Sequence, residues 1–231
     1  MTPKARARIE LAAGGLLVLA VVVGGLYFMV RPGPAPLDRW AFAAIRPVHH
    51  SGLLVAVTRM GSPFVVMAAA VAAFLATLRR NRPRAMALLV GPVLAVAVCD
   101  WVIKPVVGRT FADVVSFPSG TVTAIAAIAA VGLLATPDPW RSVVAALGGT
   151  ITVLACVSVV ALRWHYPTDA VAGLALGAGV VLLTDCAARG AAAWFTRDTV
   201  RPDTDRPDTD RPDTGPRLAG TRPDAERTTT H

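Results

Sequence analysis

The chain has 231 residues, 54% of them hydrophobic, and a formal net charge of +8. That apolar share is too high for an ordinary soluble domain and leaves an integral membrane protein. The basic residues gather at the ends of apolar runs without an interleaved aromatic platform. They therefore read as topology signals and contacts to anionic lipid head groups, and nucleic acid is not expected as a partner.

The first element is Leu11–Val30, twenty residues without a charge, which is the length a helix needs to cross the hydrocarbon core. Lys4, Arg6 and Arg8 before it suit a signal peptide, but the run is longer than an h-region of roughly 7–15 residues and no small-residue cleavage site follows. A retained helix is expected. Leu37–Ile45 suits a short interfacial helix with Trp40 and Phe42 facing lipid. The adjacent His49 and His50 read most simply as solvated loop residues.

Five more apolar segments follow: Ser62–Leu78, Ala85–Ile103, Gly120–Thr136, Ser142–Leu162 and Ala170–Ala188. Ser62-Pro63 has the form of an N-cap with proline at the first helical position, and Pro118-Ser119 marks a helix start before Gly120. Cys99, Cys156 and Cys186 lie in apolar runs and read as small core or lipid-facing residues. From Arg201 the chain turns into RPDTD repeats with almost no large apolar side chains, which predicts disorder. The expected fold is all-α: a polytopic membrane protein with six transmembrane helices in a bundle over residues 1–195, and a low-complexity disordered cytoplasmic tail over 196–231.

Positive residues stay preferentially on the cytoplasmic side. Lys4, Arg6 and Arg8, the group Arg79, Arg80, Arg82 and Arg84, and Arg189 with Arg197 all fall on one side of a six-span model, which puts both termini inside. Arg31, Arg39, Arg46 and Arg59 fall outside, as do two polar clusters, Lys104–Gly120 and Arg163–Asp169. These clusters carry the functional signal.

In the first cluster, PSGT at 118–121 opens a helix whose leading N–H groups have no intrahelical partner and suit an anion. Ser119 can donate its hydroxyl, and Gly120 leaves room for a phosphate to approach. Lys104 and Arg109 add positive charge, and Arg109 has the fork that grips two phosphate oxygens. Asp100, one turn before Lys104, is placed to neutralise part of it. In the second cluster, His165 and Asp169 stand one helical turn apart, a spacing at which a carboxylate can fix an imidazole tautomer and leave the other nitrogen to attack phosphorus. The bland readings are a helix cap for PSG, snorkelling for the cations, and an interfacial Trp164-His165-Tyr166 belt.

The order K, R, PSG, H-x-x-x-D resembles the type 2 phosphatidic acid phosphatases, or lipid phosphate phosphatases, over about Ser62 to Ala188. That family's signatures are KxxxxxxRP, PSGH and SRxxxxxHxxxD. The resemblance implies a metal-independent site, without cofactor, that forms a phosphohistidine at the outer face of a bacterial-type cell (inner) membrane. It implies His165 as nucleophile oriented by Asp169, with Lys104, Arg109, Ser119, Gly120, Thr121 and Arg163 around the phosphate. Three positions depart from the pattern. Phe111 and Ala112 replace Arg-Pro, Val159 replaces the arginine of the third signature, and Thr121 replaces the histidine that protonates the leaving group. Arg109 and Arg163 stand nearby as candidate substitutes. Losing the acid slows expulsion of an alkoxide most, so a pyrophosphate leaving group is favoured. The substrate expected is a lipid phosphate or polyprenyl pyrophosphate, in a setting of membrane lipids. The alternative is a catalytically impaired member that binds lipid phosphate or scaffolds a partner. A transporter or channel is disfavoured because no expected span carries a charge near its middle.

Overall fold

The computed structural model describes residues 2–48 and 51–199. His49, His50 and the tail from residue 200 onward, including the expected disorder, lie outside the described residues. Helix α1 (Pro3–Val30) is followed by two short helices, α2 (Pro36–Ala44) and α3 (Gly52–Arg59), then by α4 (Pro63–Leu78) and α5 (Arg82–Ala97). A π-turn over Val98–Ile103 carries α5 into the single turn α6 (Lys104–Val107). A two-stranded hairpin, β1 (Thr110–Phe111) with β2 (Val114–Val115), leads to α7 (Gly120–Ala135). A 3-10 turn over Asp138–Trp140 then precedes α8 (Arg141–Ala161) and α9 (Pro167–Thr199). The fold is all-α apart from that hairpin, and α9 runs four residues past the expected domain boundary at 195.

The helix starts follow local chemistry. Proline stands in the first turn of α1, α2, α4 and α5, where its missing N–H costs no intrahelical bond. Asn81 caps α5 by accepting from the Arg84 N–H at 3.0 Å. Ser62 and Ser119 occupy the N-cap positions of α4 and α7 as expected, although neither hydroxyl makes a cap bond. Gly108, with φ +63°, ends α6 in the left-handed conformation, and its N–H returns to the Lys104 carbonyl.

Among the described residues, four helical stretches are long and apolar enough to cross a membrane: Ala5–Val30, Arg82–Val107, Asp138–Ala161 and Pro167–Phe195. The pair α3 and α4, bent by 49°, makes a fifth if it counts as one span. The expectation of six full spans is therefore met in part, by four spans or five. α4 reaches spanning length only together with α3, and α7, with 16 residues, rises about 24 Å against a hydrocarbon core of about 30 Å. All five tryptophans are exposed, with Trp40, Trp101 and Trp164 at one end of the bundle and Trp140 and Trp194 at the other. Two aromatic levels separated by apolar helix surface are the arrangement of a membrane protein.

A second polar cluster, not expected from the sequence, ties the far end together. Arg84 of α5 makes a two-pronged bond to Asp185 of α9, both contacts 3.1 Å. Arg189 reaches Asp185 at 3.1 Å and Glu10 of α1 at 2.5 Å, and Arg6 reaches Glu10 at 3.2 Å. Between the two ends α9 packs through small residues. A Cβ on Gly177 would lie 2.2 Å from the Thr123 carbonyl oxygen of α7, and one on Gly173 would lie 2.5 Å from the Ser119 carbonyl oxygen. This Gly-x-x-x-Gly face lets two backbones approach where larger side chains could not. Gly177→Ala is expected to destabilise the protein by about 1–3 kcal/mol through overpacking, read as a lower denaturation midpoint of the purified protein in detergent.

Candidate active site

Four expected residues converge on one cavity of about 560 Å³. Lys104 at the start of α6, Gly120 and Thr121 at the start of α7, and His165 just before α9 all line it, together with Asp100 of the π-turn. Its remaining wall is apolar, formed by Val66 and Met67 of α4 and by Val93, Val96 and Ala97 of α5. Gly120 permits this convergence, because a Cβ there would sit 3.1 Å from an Asp100 carboxylate oxygen and 3.2 Å from the Lys104 ammonium. Lys104 Nζ donates to Asp100 Oδ1 at 2.7 Å, as the i, i+4 spacing anticipates.

His165 is held differently from expectation. Its Nδ1 lies 3.0 Å from the Ser116 carbonyl and 3.9 Å from Asp169 Oδ2, too far for a hydrogen bond. A carbonyl can only accept, so Nδ1 carries a proton, and in the neutral imidazole the lone pair is then on Nε2. The hairpin supplies that carbonyl. Ala112 and Asp113 take left-handed backbone angles, φ 49° and 64°, in the two-residue turn, and the chain returns so that the Ser116 N–H donates to the Arg109 carbonyl at 2.8 Å.

Arg109 does not face the cavity. It is wholly buried, and all five of its N–H donors are used within the protein. Nε donates to the Pro32 carbonyl, Nη1 to Thr168 Oγ1 and Asp169 Oδ1, and Nη2 to the Gly33 carbonyl and Asp38 Oδ2. The guanidinium lies 3.7 Å from the Phe28 ring centroid and 4.1 Å from that of Tyr166. The expected phosphate fork is thus a structural crosslink between the end of α1, α2 and the start of α9. Asp169 belongs to the same network. One oxygen meets Arg109 at 2.5 Å and the other accepts the Tyr166 N–H at 3.1 Å, the reciprocal bond of a capping box.

Arg163 is likewise engaged internally. It sits at φ 58° in the left-handed position after α8, stacks on Phe42 at 4.0 Å, and donates to the Phe42 and Ile45 carbonyls at the end of α2. Ser119 is fully buried, and its hydroxyl has no hydrogen-bond partner. Where the family signatures carry arginines, apolar side chains pack instead. Phe111 meets Tyr166 edge-on at 4.7 Å, and Val159 lies in a buried cluster with Val122, Ile125 and Val160. Among the described residues, no three His, Cys, Asp or Glu side chains gather as a metal ion would require.

Sequence reasoning missed Asp38, which is wholly buried and caps α2 through the Ala35 N–H while accepting from Arg109, the Thr168 N–H and the Thr168 hydroxyl. Its signal was present in Pro36-Leu37-Asp38, a first-turn acid in a short helix, but its partners lie 71 and 130 residues away.

A comparison with known families finds a match over part of the chain. Residues 99–190 match the PAP2 superfamily. The match opens inside the π-turn of α5 rather than at Ser62, and it spans Lys104, the PSG turn, His165 and Asp169. No curated protein and no solved structure matches the chain. The PAP2 match points to a phosphatase of the lipid-phosphate type.

Arg109→Ala would leave Asp38 and Asp169 buried without a counter-charge, and is expected to cost about 3–5 kcal/mol. Thermal unfolding of the purified variant in detergent measures that loss.

Proposed function

We propose that this protein is a membrane phosphatase that hydrolyses a lipid phosphate or polyprenyl pyrophosphate through a phosphohistidine at His165. The observation that carries this reading is the single cavity shared by Lys104, Gly120, Thr121 and His165. His165 Nε2 attacks phosphorus while Nδ1–H stays on the Ser116 carbonyl. Lys104 and the leading N–H groups of α7 bind the phosphate oxygens, whereas the Ser119 hydroxyl is buried and does not line the cavity. Positioning and charge stabilisation of this kind are the main contributions in phosphoryl transfer.

The shape of the cavity supports a lipid. From Lys104 down to Val93, the continuous helical stretch of α6, the π-turn and α5 contributes a lining about 16 Å long that changes from charged to wholly apolar. A phosphate head fits the upper part and an acyl or prenyl chain the lower. The basic residues support an outward-facing site with cytoplasmic termini, since Arg6, Arg84 and Arg189 meet at the opposite end of the bundle.

Thr121 shapes the choice of substrate. A threonine hydroxyl does not protonate a departing alkoxide near neutral pH, whereas a pyrophosphate leaves as an already stabilised phosphate. A polyprenyl pyrophosphate therefore suits this site better than a monoester.

A second reading, a member that binds lipid phosphate without turnover, is favoured by one observation. Lys104 is the single arginine or lysine lining the cavity among the described residues, and Asp100 neutralises it. The two readings separate in one assay of phosphate release from phosphatidic acid and a polyprenyl pyrophosphate in detergent micelles. Hydrolysis is expected to be faster for the pyrophosphate and to vanish in His165→Ala, whereas saturable binding without release would establish the second reading. Thr121→His is expected to raise the phosphatidic acid rate more than the pyrophosphate rate, measured side by side.

A further inference from the structure

We propose that Asp100 is the general base that activates water to hydrolyse the phosphohistidine, an assignment that rests on the phosphatase reading above. The second half of that reaction needs a group to take a proton from water. Three titratable side chains line the cavity: Asp100, Lys104 and His165. His165 carries the phosphoryl group at that stage, and Lys104 is a cation with no lone pair to offer. Thr121 has no useful basicity. Asp100 is the remaining acceptor.

Its geometry suits the role. The Lys104 ammonium lies 2.7 Å from its Oδ1 and holds the carboxylate at the cavity wall. The Asp100 side chain keeps 39% of its surface exposed and lines the cavity, so a water bound there can reach it. Its Oδ1 lies 3.1 Å from where a Cβ on Gly120 would stand, beside the start of α7 and next to Thr121. The carboxylate thus borders the turn where the phosphate is bound, on the α5 wall of the cavity, whereas His165 enters from the α9 end.

In this step a water oxygen attacks phosphorus and the P–Nε2 bond breaks, its electron pair returning to the imidazole. The proton lost by water passes to an Asp100 oxygen, and inorganic phosphate leaves. Asp100 then releases its proton to bulk water, and the free imidazole is ready for the next substrate. The pairing with Lys104 also gives the ammonium two successive partners. It leaves Asp100 in part when phosphate binds, freeing the carboxylate for water, and recovers it when phosphate departs.

The test uses the full chain in detergent micelles with a polyprenyl pyrophosphate labelled in its terminal phosphate, quenched in alkali, in which phosphohistidine survives. Asp100→Asn is expected to slow steady-state phosphate release by about a hundredfold or more while labelled protein accumulates toward one phosphate per chain. Hydroxylamine, a nucleophile that needs no base, is expected to discharge that labelled protein. Wild-type chain should show fast release with little label, and His165→Ala neither. Release from Asp100→Asn at the wild-type rate would overturn the assignment of Asp100 alone, as would loss of both label and release in a variant that still elutes as the folded protein. A wild-type chain that neither takes label nor releases phosphate would overturn the phosphatase reading and this step with it.

Discussion

One buried guanidinium holds the site end of this protein together. Arg109 connects the residues just after α1, the single acid of α2, and the first turn of α9, and it fills the space between Phe28 and Tyr166. A charge in such a place is tolerable only because two carboxylates and two carbonyls surround it. Removing any of these partners leaves the others desolvated and unpaired, so the constraint is collective. Asp169 serves that crosslink first, and its effect on His165 passes through the shape of the turn it caps.

The departures from the family signatures are consistent with this internal economy of charge. Phe111 stacks with Tyr166 and Phe42 above the network, and Val159 packs between α7 and α8. Val159 belongs to the buried core and Phe111 to an aromatic cluster at its edge, and the arginines nearest to them in sequence, Arg109 and Arg163, bond groups within the protein. What is left in the cavity is a nearly neutral pair beside an imidazole and a helix start. A site of that composition relies on oriented backbone dipoles more than on net positive charge, which suits a ligand bound at a bilayer surface where water is already scarce.

Much of this was legible in the sequence where the evidence was local. Apolar run lengths located all six principal helices, Pro63 and Gly120 marked two of their starts, and the order of Lys104, Gly120 and His165 announced a shared pocket. What escaped was long-range. Nothing near Asp38 in the chain points to Arg109, and nothing near Arg84 points to Asp185, since these pairs are 71 and 101 residues apart. Arg109 was misjudged for the same reason, because a lone arginine after an apolar run looks identical whether it reaches outward to a ligand or inward to two acids. The 49° bend between α3 and α4 also left no periodic trace. The glycines at 173 and 177 were visible as letters, yet only the partner backbone of α7 shows why they must lack side chains.

The imidazole of His165 is steered by a main-chain oxygen, and that choice carries a consequence for how such a site can evolve. No replacement of the side chain at position 116 deletes the acceptor, so orientation of the ring is insulated from ordinary point changes there. It is exposed instead to insertions or deletions between residues 110 and 115, which would rotate the peptide plane and aim the lone pair elsewhere. The length of a six-residue hairpin, rather than the identity of an acidic side chain, sets the orientation of the ring.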